Sequence, residues 1–352
     1  MLVKSHILPK INTYSLTLIG LSIALFFLAI ISLSFGAFPI SLAKVVQVVS
    51  GFQWGEEIAS LQDRNVLLQI RLPRILLAVL VGGALGLSGA ALQGLFRNPL
   101  VEPGLIGVSS GSALFAVAYI VFGSSWTVFA LLGKIGLAFF AFLGGLLNTF
   151  LVYRLSSSAG KTDISLLILA GVALNALAGA LIGLAIFYAD DAALRNFTFW
   201  SLGDVGGASW DKVIVLGALS VLPIGLILGQ HQALNALAIG ESEAFHMGVF
   251  VQKTKVIILI GSALMVGTSV AFTGIIGFVG LVIPHLLRIM FGADHKLILP
   301  ASWLAGAVLL TLADLLARTM VSPSEMPIGI ITAIIGAPFF IWLLLNIKQV
   351  RY

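Results

Sequence analysis

An all-α, polytopic membrane protein with about ten transmembrane helices is the fold class this sequence predicts, on three observations. Of the 352 residues, 59% are hydrophobic and only 9% are charged, against about 25% charged in a soluble domain. A soluble chain of this composition could not cover itself with polar surface, so most of its solvent is lipid. The apolar residues also gather into runs near the roughly 20 residues that a helix needs to cross the hydrocarbon core. Finally, the runs fill the chain almost end to end, which predicts a single transmembrane domain over 1–352 with no separate soluble module.

The runs fall at 16–38, 75–96, 104–122, 126–153, 164–189, 213–229, 256–272, 274–291, 297–317 and 328–346. The first has no clear cleavage site and is long enough to span, so it reads as a helix rather than a secretory signal. The second carries Gly82, Gly83, Gly86 and Gly89, and the fifth carries Gly171 and Gly179. Small residues let helices approach closely in lipid, where packing rather than the hydrophobic effect holds helices together. The seventh and eighth runs are nearly continuous. One helix over 256–291 would be roughly 54 Å long against a core of about 30 Å. The Gly-rich segment Thr273–Gly280 is therefore expected to turn.

Ten spans place both termini on one side. With the N-terminus inside, 11 of the 19 Lys and Arg fall on the inner side. The positive-inside rule thus favours cytoplasmic termini. The same rule accounts for the net charge of +5 without invoking nucleic acid. There are no cysteines, which excludes disulfides and thiolate chemistry.

Two connections are more than turns. Residues 39–71 form a long outer segment with Trp54, Glu56, Glu57, Asp63 and Arg64. Residues 230–252 are too polar to span yet compatible with helix, with Leu234, Leu237 and Ala238 at i, i+3, i+4 spacing and Gly240 as a stop. A short amphipathic helix pair on the cytoplasmic face fits either an interfacial anchor or a dock for a soluble partner.

Catalytic chemistry is hard to place in this chain. Gly160-Lys161-Thr162 ends like a phosphate-binding loop, but Leu155 stands where such a loop needs glycine. Nucleotide therefore belongs on another subunit. His6, His231, His246, His285 and His295 form no ligand pair with metal-binding spacing, so no metal or cofactor site is expected. Ionisable residues within the runs are few, with Lys134 and Asp314 near the outer ends. Buried ionisable groups mark function in membranes, and their scarcity argues against an intramembrane enzyme and against an ion-coupled secondary transporter. Arg71-Leu72-Pro73-Arg74 opens the second run, and Arg318 closes the ninth. All three arginines sit outside, against the charge trend. They read either as lipid-headgroup anchors or as a surface for carboxylates, which guanidinium pairs with bidentately.

Several ordered motifs from about residue 70 to the C-terminus together point to one family. They are Arg71–Arg74, Gly89-Ala-Ala-Leu-Gln-Gly-Leu-Phe-Arg-Asn-Pro-Leu-Val-Glu-Pro-Gly104, Gly107-Val-Ser-Ser-Gly111, Leu169–Asn175 and Phe199–Gly203, followed by Gly274–Arg288 and Glu325–Pro338. In this order they resemble the permeases of ATP-binding-cassette importers for ferric siderophores, haem and vitamin B12. Arg97, Asp190–Arg195 and Gly206–Trp210 look most like the haem permeases, although Val101-Glu102 replaces the Ala-Asp expected there. Ferric siderophore and cobalamin are the alternative cargoes.

The resemblance implies a homodimer in the bacterial inner membrane, two ATPase subunits that bind the ATP, and a periplasmic or lipid-anchored binding protein. It implies that residues 230–252 couple to the ATPase, through Leu234, Leu237, Gly240, Glu241, Ala244 and Gly248. It also implies that Arg71, Arg74 and Arg318 pair with glutamates of the binding protein.

Overall fold

The computed structural model describes residues 10–36, 38–52, 58–123, 135–158, 160–321 and 324–349. Trp54, Glu56, Glu57 and Lys134 lie outside the described residues, as does His6. Apart from turns and loops, the described chain is helical but for one hairpin of two two-residue strands. Among the described residues, seven helices are long and apolar enough to cross a membrane, and three shorter apolar helices accompany them.

In chain order, α1 is Lys10–Ser34, α2 is Leu42–Ser50 and α3 is Leu61–Phe96. After the short turn of Pro103–Ile106 come α4 (Val108–Phe122) and α5 (Gly136–Ser156). The hairpin β1 (Ser157–Ser158) and β2 (Lys161–Thr162) leads into α6 (Ile164–Phe187), α7 (Asp191–Ser201) and α8 (Trp210–Leu228). Next are the short α9 (His231–Ile239) and α10 (Glu241–His246), then α11 (Val251–Thr273), α12 (Val279–Phe291), α13 (His295–Thr319) and α14 (Ile328–Gln349). The break between α11 and α12 lies in the Gly-rich segment where the length argument puts it. Gly274 adopts φ 70° there, and Phe278, at φ 68°, opens α12.

The second span departs from its sequence boundary. Instead of starting near residue 75 it begins at Leu61 and runs 36 residues. Ser60 and Asp63 form a reciprocal capping box that starts the helix. Pro73 does not break it: a π-helical stretch over Val66–Arg71 ends two residues before the proline. A wider turn tolerates the missing N–H, where a regular α-helix would kink.

Helix α3 is the axis of the bundle, with 83% of its most apolar window buried. It packs along α13 because Gly82 and Gly86 face the backbone carbonyls of Gly306 and Ser302, and Gly306 faces that of Gly82. A side chain at either glycine would occupy the space of a neighbouring carbonyl. Gly111 on α4 and Gly144 on α5 meet in the same way. Gly171 packs on the Leu105 carbonyl, whereas Gly179 faces open space. Helices α1 and α6 are the most open of the seven, with 11% and 17% of their windows buried.

Candidate functional site

Two polar assemblies sit at opposite ends of α3. The first involves its N-terminal half, the C-terminal end of α1 and the C-terminal end of α13. Asp314 is fully buried on α13 and accepts from Arg74 Nε at 2.8 Å. Its other oxygen lies 3.6 Å from Arg318 Nε, one helical turn on. Arg74 also grips Glu325 through Nη1, at 2.8 and 3.0 Å. Arg318 donates to the Ser32 carbonyl and hydroxyl, and Arg71 donates to the carbonyls of Leu33, Ser34 and Phe38.

These contacts correct the reading of the three arginines as outward cations. Arg71, Arg74 and Arg318 are only 4%, 7% and 5% exposed. Neither a lipid headgroup nor free solvent receives them: Asp314 and Glu325 hold Arg74, and carbonyls at the end of α1, which lack donors from within the helix, accept from Arg71 and Arg318. Within this cluster, the solvent-facing group is Glu325, whose side chain is 48% exposed. In the sequence Asp314 stands as an isolated acid, and nothing near it marks Arg74 or Glu325 as its neighbours. The 240 residues between Arg74 and Asp314 carry no local signal of that pairing.

The second assembly surrounds α9 and α10, the helix pair expected over 230–252. Leu234 and Leu237 are buried against α3 and α13, and Ala244 is buried as well. Their apolar stripe therefore faces the bundle, which corrects the picture of these side chains as partner contacts. Asn235 fixes α9 to α13. Its amide donates to Asp294 at 2.8 Å and accepts from the His295 N–H at 2.9 Å. Asp294 caps α13 by accepting from the Lys296 N–H at 3.0 Å. The Asn235 amide is the main reason its carboxyl is held below its usual range, with the Lys296 N–H second.

Gly240 separates the two helices, and its carbonyl accepts from Ala244. Glu241 pairs with Lys255 Nζ at 2.8 Å. Gly248 turns the chain toward α11 with φ 85°. What this platform offers outward is Ile239, Phe245, Met247 and Phe250, 63–79% exposed. Those side chains were legible as large apolar residues in a polar segment, but periodicity drew attention to the buried stripe instead.

Between the platform and the bundle, Gln93 donates to the carbonyls of Val101, Gly280 and Leu281. Arg288 donates to Gln93 and to the Ala90 carbonyl. This knot ties the end of α3 to α12. Glu102, on the connection beside it, has its pKa raised by burial. Among the described residues no group of three or more His, Asp or Glu is arranged to hold a metal ion.

The geometry is that of a helical membrane bundle with a locked charged cluster at one end and an apolar-faced helix pair at the other. Known proteins resemble the chain in sequence and overall fold. The chain is 46% identical over 289 residues to the hemin transport system permease of Yersinia pestis, covering 82% of this chain and 85% of that one. It is 41% identical over 311 residues to the vitamin B12 import permease of Citrobacter koseri, covering 88% and 92%. Among solved structures, a metal-chelate-type ABC transporter in an inward-facing conformation matches with a TM-score of 0.81 and 36% identity, over 94% of this chain and 98% of that one. Residues 11–346 match the FecCD transport family, so the chain belongs to that family and is the membrane permease of an ABC transport system.

Proposed function

We propose that this permease imports haem, working as a homodimer with two ATPase subunits and a substrate-binding protein in the bacterial inner membrane. The 46% identity to a hemin permease carries the choice of cargo. On this reading the ten apolar helices all span, both termini are cytoplasmic, and the α9–α10 platform meets the ATPase. Ile239, Phe245, Met247 and Phe250 are the contact side chains, while Leu234, Leu237 and Ala244 hold the platform to the bundle. ATP binding and cargo delivery favour different arrangements of the spans, and no nucleotide, metal or cofactor resides on this chain.

The opposite end receives the binding protein. Arg71, Arg74 and Arg318 are already partnered, so a docking carboxylate would meet Arg74 by displacing the half-exposed Glu325. Stimulation of ATP hydrolysis tests the reading. The reconstituted complex should hydrolyse ATP faster with haem-loaded binding protein than with empty binding protein. Equal rates with both would refute it.

A further inference from the structure

Lys255 stands in the first turns of α11 with 4% of its surface exposed, and its ammonium joins three separate segments. It donates to the Thr162 carbonyl on β2 at 2.7 Å and to Glu241 on α10 at 2.8 Å. Thr162 is itself 3% exposed and held from two further sides. Gln252 accepts from the Thr162 N–H at 3.0 Å and donates to its hydroxyl at 2.6 Å, while Ser157 shares that hydroxyl at 2.9 Å. The next residue, Asp163, caps α6 by accepting from the Leu166 N–H. The ends of α5, α6, α10 and α11 therefore meet around one buried cation.

The Glu241 side chain is 38% exposed, and a half-exposed ion pair is a weak source of net stability, because solvent screening and desolvation offset most of the attraction; what it supplies is a fixed geometry. Here the fixed geometry connects a six-residue helix to the base of α6. Only 17% of the most apolar window of α6 is buried, against 83% for α3. The linkage thus ends on a span that leaves most of its apolar surface open within this chain.

We propose that Lys255 is a positioning residue that carries displacement of the α9–α10 platform into α6 through the β1–β2 hairpin. This rests on the reading of the platform as the ATPase contact. On it, the hairpin and the platform move as one piece through the transport cycle, and α6 moves with them.

The test uses the complete importer in proteoliposomes, with haem, its binding protein and ATP, and measures haem delivered per ATP hydrolysed. Lys255→Met should bind the ATPase as the parent does, yet deliver roughly tenfold less haem per ATP, the scale set by a lost charge-assisted hydrogen bond. The chain has no cysteine, so Thr162→Cys and Glu241→Cys, the two residues that Lys255 bridges, can be joined by a short thiol crosslinker with no other thiol on this chain. That crosslink should restore the ratio in Lys255→Met.

A parental ratio in Lys255→Met, a crosslinked Lys255→Met that stays uncoupled, or a loss of ATPase binding in step with transport would each overturn the proposal. Should Lys255→Met fail to fold, Gln252→Ala removes only side-chain clamps on the hairpin and must lower the ratio in the same direction. Failure of the underlying reading shows elsewhere: Phe245→Asp would then still bind the ATPase.

Discussion

Replacing Asp314 by asparagine removes the one carboxylate that two buried arginines share. Arg74 Nε lies 2.8 Å from one of its oxygens and Arg318 Nε 3.6 Å from the other, and none of the Asp314 surface is exposed. Asparagine keeps the shape but leaves two guanidinium charges in one buried cluster, with Glu325 as the nearest remaining acid on Arg74. Removing one partner of a buried ion pair costs about 3–5 kcal/mol, because the other charge stays buried and unpaired. Glu325→Gln is the internal control. The Glu325 side chain is 48% exposed and Arg74 keeps Asp314, so the expected loss is that of a solvent-exposed pair, about 0.2–1 kcal/mol. Thermal unfolding of both variants in nanodiscs, read by fluorescence and by protease resistance, measures the difference. Asp314→Asn should unfold far below the parent and Glu325→Gln close to it. Equal, small effects would show that the cluster is solvated and that burial does not govern its energetics.

Other perturbations probe other links. Phe245→Asp places charge on a side chain that is 69% exposed, so folding should survive and co-purification with the ATPase should be lost. Leu237→Asp instead buries a charge at a 2% exposed position and should abolish stable expression. Gly306→Ala thrusts a methyl group onto the Gly82 carbonyl and should cost about 1–3 kcal/mol by overpacking. Gly20→Ala, with nothing within 4 Å, should leave the melting temperature unchanged. Asp294→Ala removes a helix cap worth about 1 kcal/mol. Because hydrogen bonds lower the Asp294 pKa, its contribution is full above the unfolded carboxyl value, about 3.9, and fades as pH falls through the lowered one. The difference in melting temperature between parent and Asp294→Ala should therefore be constant near neutrality and shrink only in strong acid.

Much of this architecture was legible before any coordinates, and the legible parts share a cause. Span length and apolar composition are set by the bilayer and read directly from runs of residues, as the split at Thr273 and Val279 illustrates. Helix ends were less legible. The start of α3 at Leu61 depends on a capping box and a π turn, and a proline in the middle masks both. Periodicity identified the α9–α10 pair but not which face does what. A helix lying on a membrane bundle has its apolar stripe inward for packing, so its exposed phenylalanines are the side chains left to meet the proposed partner. The arginine cluster was least legible. The order of spans puts Arg71, Arg74 and Arg318 at one end of the molecule, against the charge trend, but whether a cation is free or spent depends on partners hundreds of residues away. Lys255 went unnoticed for the same reason, since its carbonyl partner on Thr162 is 93 residues away.

Vectorial uptake measures the central claim most directly. Proteoliposomes holding the permease with its ATPase, given ATP and the cognate binding protein, should accumulate haem and should not accumulate it when ATP is replaced by ADP. Offered a ferric siderophore or cobalamin with their own binding proteins, the same vesicles should accumulate neither. Accumulation of one of those chelates with no uptake of haem would contradict the account.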